Sequence, residues 1–164
     1  MKDVLAIKKF DAVKFFAAIF VSYLAGIIGS IPTMDAIDAW YKNLNKPFFN
    51  PPNWIFAPVW TTLYFMMGVA FYLVLVSQKN KKDRSAATNV FLFQLLLNAV
   101  WSILFFGLQL PLIAFFEIVF LWFMISVTIR KFVKISIPAA VLMIPYFLWV
   151  TFAMILNAAI VLLN

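Results

Sequence analysis

Three sets of side chains in this sequence are spaced to act together. Trp60, Tyr64 and Gly68 follow one another at i, i+4 and i+8. Gln94, Asn98, Trp101 and Phe105 do so at i, i+4, i+7 and i+11, and Tyr146, Trp149, Ala153 and Asn157 at i, i+3, i+7 and i+11. On helices, each set shares one face. Indole and phenol rings give flat apolar walls with a polar tip, and amides add a few hydrogen-bonding points. If the three stripes face one interior, they enclose a cavity suited to a planar ring ligand, held by stacking and shape. Each residue also has a plainer role. Asn98 and Asn157 can serve as interhelical hydrogen bonds with no ligand, and the tryptophans can simply fill a core.

Other chemistries are excluded by composition. There is no cysteine and no histidine. That removes disulfides, the common zinc sites, thiol redox chemistry and Ser-His or Cys-His catalysis. It also removes the two commonest haem-iron ligands. No metal site is expected, and no cofactor is required. Glu117 is the one carboxylate inside an apolar stretch. It could couple to protons in a small exporter, or reach the surface or a neighbouring hydroxyl with no further role.

The elements that must position these residues are membrane helices. Hydrophobic residues make up 66% of the 164, charged residues 12%, and mean hydropathy is +1.01. A soluble globular chain is about 45–50% apolar. Five apolar stretches, Val13–Thr33, Trp54–Ser77, Ala86–Phe106, Leu112–Ile129 and Ile137–Leu163, approach the ~20 residues that cross a bilayer. The first is too long for a signal-peptide h-region and reads as a retained span. The expected fold is an all-α integral membrane protein, a single domain over residues 1–164 with five transmembrane helices.

Charge sets the expected orientation. The net charge of +7 would hint at nucleic acid in a soluble protein. Here the basic residues sit at the ends of spans, so the expected partner is the lipid bilayer and no nucleic acid. Lys2, Lys8, Lys9 and Lys14 precede or open the first span. Lys79, Lys81, Lys82 and Arg84 follow the second, and Arg130, Lys131 and Lys134 follow the fourth. With five spans, eleven of thirteen basic residues fall on one side. The positive-inside rule then predicts a cytoplasmic N-terminus, with loop 34–53 outside, in a membrane of the prokaryotic plasma (inner) type.

That loop is unlike the other connectors. Pro47, Pro51 and Pro52 stiffen it, and Trp40, Tyr41, Phe48, Phe49 and Trp54 give it apolar mass. Trp40 and Trp54 suit an interfacial aromatic belt, but the loop as a whole reads as a lid over one end of the bundle. In the first span, Ala18, Ser22, Gly26 and Gly29/Ser30 form a small-residue ridge, a helix-association face within the bundle or between protomers. Pro145 should kink the last helix just before the Tyr146/Trp149 stripe.

Together these segments resemble a known family. They are Trp40-Tyr41-x-x-Leu44-x-Lys46-Pro47-x-x-x-Pro51-Pro52-x-Trp54, then Pro58-Val59-Trp60-Thr61-x-Leu63-Tyr64-x-x-Met67-Gly68, then Gln94-x-x-Leu97-Asn98-x-x-Trp101-Ser102-x-x-Phe105-Phe106. Glu117 with Leu121-Trp122 and Pro145-Tyr146-x-x-Trp149-x-x-Phe152-Ala153-x-x-Leu156-Asn157 complete the set. Order and spacing are similar to those of the tryptophan-rich sensory protein / translocator protein (TspO/MBR) family, the peripheral-type benzodiazepine receptors, over residues 13 to 164. The resemblance implies a five-helix bundle, commonly a homodimer, that binds porphyrins such as protoporphyrin IX, aromatic drug-like ligands and, in some members, sterols. It implies a pocket beneath the first loop, formed here by Tyr41, Trp60, Tyr64, Trp101, Trp149 and Ala153. Helical spacing alone does not single out Ala153, whose small side chain would leave room for a ring system. Bacterial relatives are linked to light- and oxygen-dependent breakdown of protoporphyrin, for which Trp60 and Trp149 are the matching catalytic pair.

Two departures qualify what is carried over. No basic residue follows Lys134, so the C-terminal Leu/Val-x-Tyr-x-Lys/Arg sterol pattern is absent, and sterol recognition through it is not expected. Without histidine, an iron porphyrin has no ordinary axial ligand. Binding would rest on stacking, with Lys42 or Lys46 meeting propionates at the mouth.

Overall fold

The computed structural model describes residues 10–164. Lys2, Lys8 and Lys9, which contribute to the charge argument, lie outside the described residues. The helices are α1 (Ala12–Ala39), α2 (Phe56–Leu75), α3 (Lys81–Ser102), α4 (Pro111–Ile135), α5 (Ile137–Leu142) and α6 (Ile144–Leu163). Among the described residues there is no strand. With its flanking turns, α2 runs from Asn53, α3 continues to Gly107, and α5 with α6 forms one element. The five resulting spans of 28, 23, 27, 25 and 27 residues are each long and apolar enough to cross a membrane. The protein is an all-α, five-span integral membrane protein.

Local chemistry explains most helix ends. Asp11 caps α1, its Oδ1 accepting from the Lys14 N–H at 3.1 Å while the Lys14 ammonium pairs with Oδ2 at 2.8 Å. Asn80 caps α3 by accepting from the Asp83 N–H at 2.8 Å. Arg84 Nη1 donates to the Leu75 carbonyl at 3.1 Å and so satisfies the end of α2. The last span breaks at Met143, and Pro145 sits in the first turn of α6. A proline there lacks the N–H that a continuous helix would need and displaces the preceding turn.

One boundary differs from the expected one. α1 does not end at Thr33 but runs through Pro32 to Ala39. Thr33 Oγ1 donates to the Gly29 carbonyl at 2.7 Å and Ser30 Oγ to that of Ile27 at 2.8 Å. These bonds fall on the carbonyls to either side of that of Ile28, the one whose helical donor Pro32 removes, and the helix carries on past this single lost bond. The connector is therefore residues 40–52, shorter than 34–53, with a 3₁₀ turn over Tyr41–Asn43; a second 3₁₀ turn, Asn53–Ile55, leads into α2.

The bundle is solid at one end and hollow at the other. At the end bearing Lys81, Lys82, Arg130, Lys131 and Lys134, the rings of Phe71, Phe91 and Phe132 stack at 4.5 and 5.7 Å. Ala139, Ala140 and Met143 of the broken span pack there, fully or almost fully buried. The small ridge of α1 is used within the protomer. Ala18, Ser22 and Gly29 are buried, and a Cβ on Gly29 would touch the Ser102 side chain at 3.0 Å. Across from Ala18 and Ile19 lies Gly68, where a Cβ would come within 2.9 Å of the Ile19 backbone. These close approaches bring α1 against α2 and α3.

Candidate ligand-binding site

Toward the lid end, the helices enclose a cavity of about 410 Å³, within the range of about 300–1,000 Å³ common for ligand sites. Trp60 and Tyr64 of α2 stack on each other, with centroids 5.5 Å apart and planes at 26°. Trp101 of α3 stacks on Phe105 at 5.3 Å and 24°. Trp149 of α6 stands between Phe56 and Phe152, at 6.0 and 5.5 Å. Ala153 lies one turn above Trp149, also in the wall. Seven of the nine residues singled out from the sequence line this one space: Tyr41, Trp60, Tyr64, Trp101, Trp149, Ala153 and Asn157.

Asn98 and Tyr146 lie behind the wall. The Tyr64 hydroxyl donates to Asn98 Oδ1 at 2.5 Å, and Asn98 Nδ2 donates to the Tyr146 hydroxyl at 3.2 Å. Asn98 is 2% exposed and Tyr146 fully buried, so this chain ties α2, α3 and α6 together beneath the cavity. A second link is Trp101 Nε1 to Asn157 Oδ1 at 3.2 Å, with Asn157 Nδ2 donating to the Pro111 carbonyl at 2.9 Å. The N–H of Trp101 is thus spent within the protein. That of Trp149 is buried and meets no acceptor among the described residues. A ligand carrying a hydrogen-bond acceptor would satisfy it.

The backbone adjusts to build this wall. α3 ends in a π-helical turn over Ile103–Gly107, a local widening often found at functional sites. It turns the adjacent residues Phe105 and Phe106 both toward the cavity and lid. The chain then reverses through Gln109 at φ 55°, in the left-handed region that a non-glycine residue adopts at some cost.

The lid closes over the top. Tyr41 is 4% exposed, and its hydroxyl donates to Asn50 Oδ1 at 2.7 Å. Lys46 sits over its ring, 4.8 Å from the centroid. Lys46 Nζ also donates to the Lys42 and Leu44 carbonyls, so Lys42, which is exposed, is the freer of the two cations. Burial pushes the Tyr41 phenol from 10.0 up to about 12. The folded lid holds this proton more tightly than the unfolded chain does, so its contribution to stability is complete below pH 10.0 and fades as the pH rises toward about 12. A tyrosinate absorbance titration should contain a component near pH 12 that is missing in Tyr41→Phe.

Several lining residues were not singled out from the sequence. Phe56 precedes Trp60 by four residues, and Leu156 and Ile160 follow Ala153 by three and seven; extending the same stripes finds them. The α1 contribution, Tyr23, Gly26, Ile27, Ser30 and Met34 among it, had no such signal, because its small residues read as packing. Glu117 lies outside the cavity wall. Both its carboxylate oxygens are buried without a partner among the described residues, as are both amide atoms of Gln94.

Comparison with known proteins identifies the family. The family model described as "TspO/MBR family" matches residues 18–163. A "Tryptophan-rich protein TspO" of Chlorobaculum tepidum is 43% identical over 139 residues, covering 85% of this chain and 88% of that protein. Another of that name, from Archaeoglobus fulgidus, is 42% identical over 154 residues, 94% of this chain and 99% of the relative. The "Translocator protein" of Ovis aries is 38% identical over 119 residues, 72% of this chain and 70% of the relative. A match over nearly the whole helical bundle, including every aromatic stripe of the cavity wall, means that the chain belongs to the TspO/MBR family.

Proposed function

We propose that this protein binds protoporphyrin IX-like tetrapyrroles and other planar aromatic molecules in the cavity beneath the lid, and that it senses or moves them. The observation that carries this reading is the wall itself. The ring systems of Trp60, Tyr64, Trp101 and Trp149 converge on one apolar space, with Ala153 leaving room between them. Such walls bind flat conjugated rings by stacking and dispersion, with no metal ligand and no cofactor. Lys42, exposed on the lid and not part of the cavity wall, offers a charge to a carboxylate that reaches the lid surface. The proposed setting is a prokaryotic plasma membrane with the basic end of the bundle in the cytoplasm, and the proposed assembly is a homodimer.

Absorbance of protoporphyrin IX mixed with the purified protein, first in the dark and then under illumination in air, tests this. A dark spectral shift that is stable in light supports binding; the absence of any dark shift sinks the tetrapyrrole assignment.

A second reading has its own support. Trp60 stacks on Tyr64, whose hydroxyl leads into the buried Asn98–Tyr146 chain. An excited porphyrin that takes an electron from Trp60 leaves a hole that Tyr64 can share; dioxygen reoxidises the reduced porphyrin and becomes superoxide, and when the hole returns to the porphyrin the two combine, so that the net step adds dioxygen to the ring. On this reading the protein breaks down bound porphyrin in light. Loss of the porphyrin band would then depend on the protein and would be suppressed by Trp60→Phe or Trp149→Phe. Proton-coupled export through Glu117 is a third reading, supported by its buried, unpartnered oxygens. It requires proton-driven porphyrin efflux from vesicles that Glu117→Gln abolishes.

A further inference from the structure

The cavity is walled on one side and open on the other. Phe105, in the π turn after α3, and Leu156 and Ile160 of α6 are 1–6% exposed. On α1 and α2 the lining residues also meet the outside. Ile27 is 55% and Met34 72% exposed, and Ser30, Ala57 and Thr61 are exposed as well. Residues that line a cavity and face outward mark an opening, here between α1 and α2. Both helices belong to elements long and apolar enough to span a membrane, and an opening on the flank of such a pair meets lipid where the pair lies in the bilayer.

The other ways in are fastened. The lid is tied to the end of α6 by three reciprocal hydrogen bonds. Asn45 N donates to Asn164 Oδ1 at 3.0 Å, Asn45 Nδ2 to the Leu163 carbonyl at 3.1 Å, and Asn164 Nδ2 to the Asn45 carbonyl at 3.1 Å. Toward the solid end, α1 and α2 are clamped. The Tyr23 hydroxyl donates to the Thr61 carbonyl at 2.8 Å, and a Cβ on Gly26 would overlap the Tyr64 ring. Lifting the lid breaks bonds, whereas passage between the helices above Tyr23 breaks none of those named.

We propose that the cavity exchanges its occupant sideways with the bilayer, through the opening between α1 and α2, and that the occupant is a flat amphiphile dissolved in lipid that enters edge-on. The ligand class rests on the function proposed above; the route does not. Exposed apolar side chains at the rim keep the path continuous with the acyl chains, and a planar molecule already partitioned into lipid need not cross water to reach the tryptophans.

The chain has no cysteine, so a single one can report on access. In proteoliposomes, Ala153→Cys places a thiol inside the cavity and Leu162→Cys, at an 85% exposed site, serves as a control. Labelling with a lipid-partitioning pyrene maleimide is compared with a charged, membrane-impermeant maleimide. The pyrene reagent should reach the Ala153→Cys thiol faster. Adding Ala57→Trp at the rim should slow that labelling by about tenfold or more while Leu162→Cys labels as before, and Asn164→Ala, which removes two of the three lid bonds, should leave it unchanged. Ser30→Trp on the opposite rim gives the same reading should Ala57→Trp fail to fold. Faster labelling in Asn164→Ala with no effect of either rim variant would overturn the lateral route in favour of the lid.

Protoporphyrin IX kinetics form the second arm. Association and dissociation should both slow in Ala57→Trp, whereas an indole that merely filled binding space would weaken affinity and speed dissociation. A flat porphyrin titration with the labelling pattern intact would remove that ligand and leave the opening standing. Normal porphyrin binding with labelling indifferent to the rim would do the reverse.

Discussion

Ala153→Phe is expected to weaken protoporphyrin IX binding well beyond tenfold while leaving the fold intact. Tenfold corresponds to about 1.4 kcal/mol. The argument is steric. Ala153 faces the cavity on the same side of α6 as Trp149 and Asn157. Phe56 and Phe152 already flank the Trp149 ring. A benzyl group at position 153 therefore has no free direction except into the space between Trp149 and Trp101, where a planar ligand must lie. The site is only part-buried and bordered by open volume, so the added ring does not overpack a closed core, and thermal unfolding should change little. Titration of porphyrin absorbance in the dark, with the melting temperature measured in parallel, checks both halves. Unchanged affinity in a folded variant would place the ligand elsewhere.

The same residues show how far the sequence could be read. Five spans follow from hydropathy because an apolar run of that length has one favourable environment. The inward stripes follow because an amide at membrane depth needs a partner, so Asn98 and Asn157 fix which face of their helix is internal, and Trp101 and Trp149 turn with them. Three features were not legible, each for a physical reason. The apolar run ends at Thr33, but α1 continues past Asp35 and Asp38 to Ala39, because hydropathy marks where the bilayer ends and not where the helix does. The π turn at Ile103–Gly107 is a change of backbone register, and no residue type announces it. The latch joins Asn45 to Asn164, 119 positions away, and two asparagines that far apart carry no mutual signal. The α1 wall of the cavity was hidden more deeply still. Gly26 and Ser30 look like contact residues, and they are, but the contact they permit also leaves an edge of the cavity unfilled.

Asn98→Leu is expected to destabilise the bundle by about 2 kcal/mol, and the pattern of rescue should show where the cost arises. The substitution nearly conserves volume, so packing changes little. What it removes is the only hydrogen-bonding group that links the Tyr64 and Tyr146 hydroxyls among the described residues. A buried polar group left without a partner costs about 1–3 kcal/mol. Interhelical hydrogen bonds in membranes average only about 0.6 kcal/mol, because most freed groups find another partner. The two tyrosines differ in that respect. Tyr64 lines the cavity, so its hydroxyl can turn into that space. Tyr146 is fully buried, with no cavity or lipid to turn to, so its orphaned oxygen should carry most of the loss. Adding Tyr146→Phe to Asn98→Leu should therefore restore more than half of the lost stability, whereas adding Tyr64→Phe should restore little. Equilibrium unfolding in mixed micelles, run on the singles and both doubles, decides between this and a uniform network. Equal rescue by the two tyrosine substitutions would mean that the cavity offers Tyr64 no alternative partner. No loss in Asn98→Leu would mean that the chain beneath the cavity does not hold α2, α3 and α6 together.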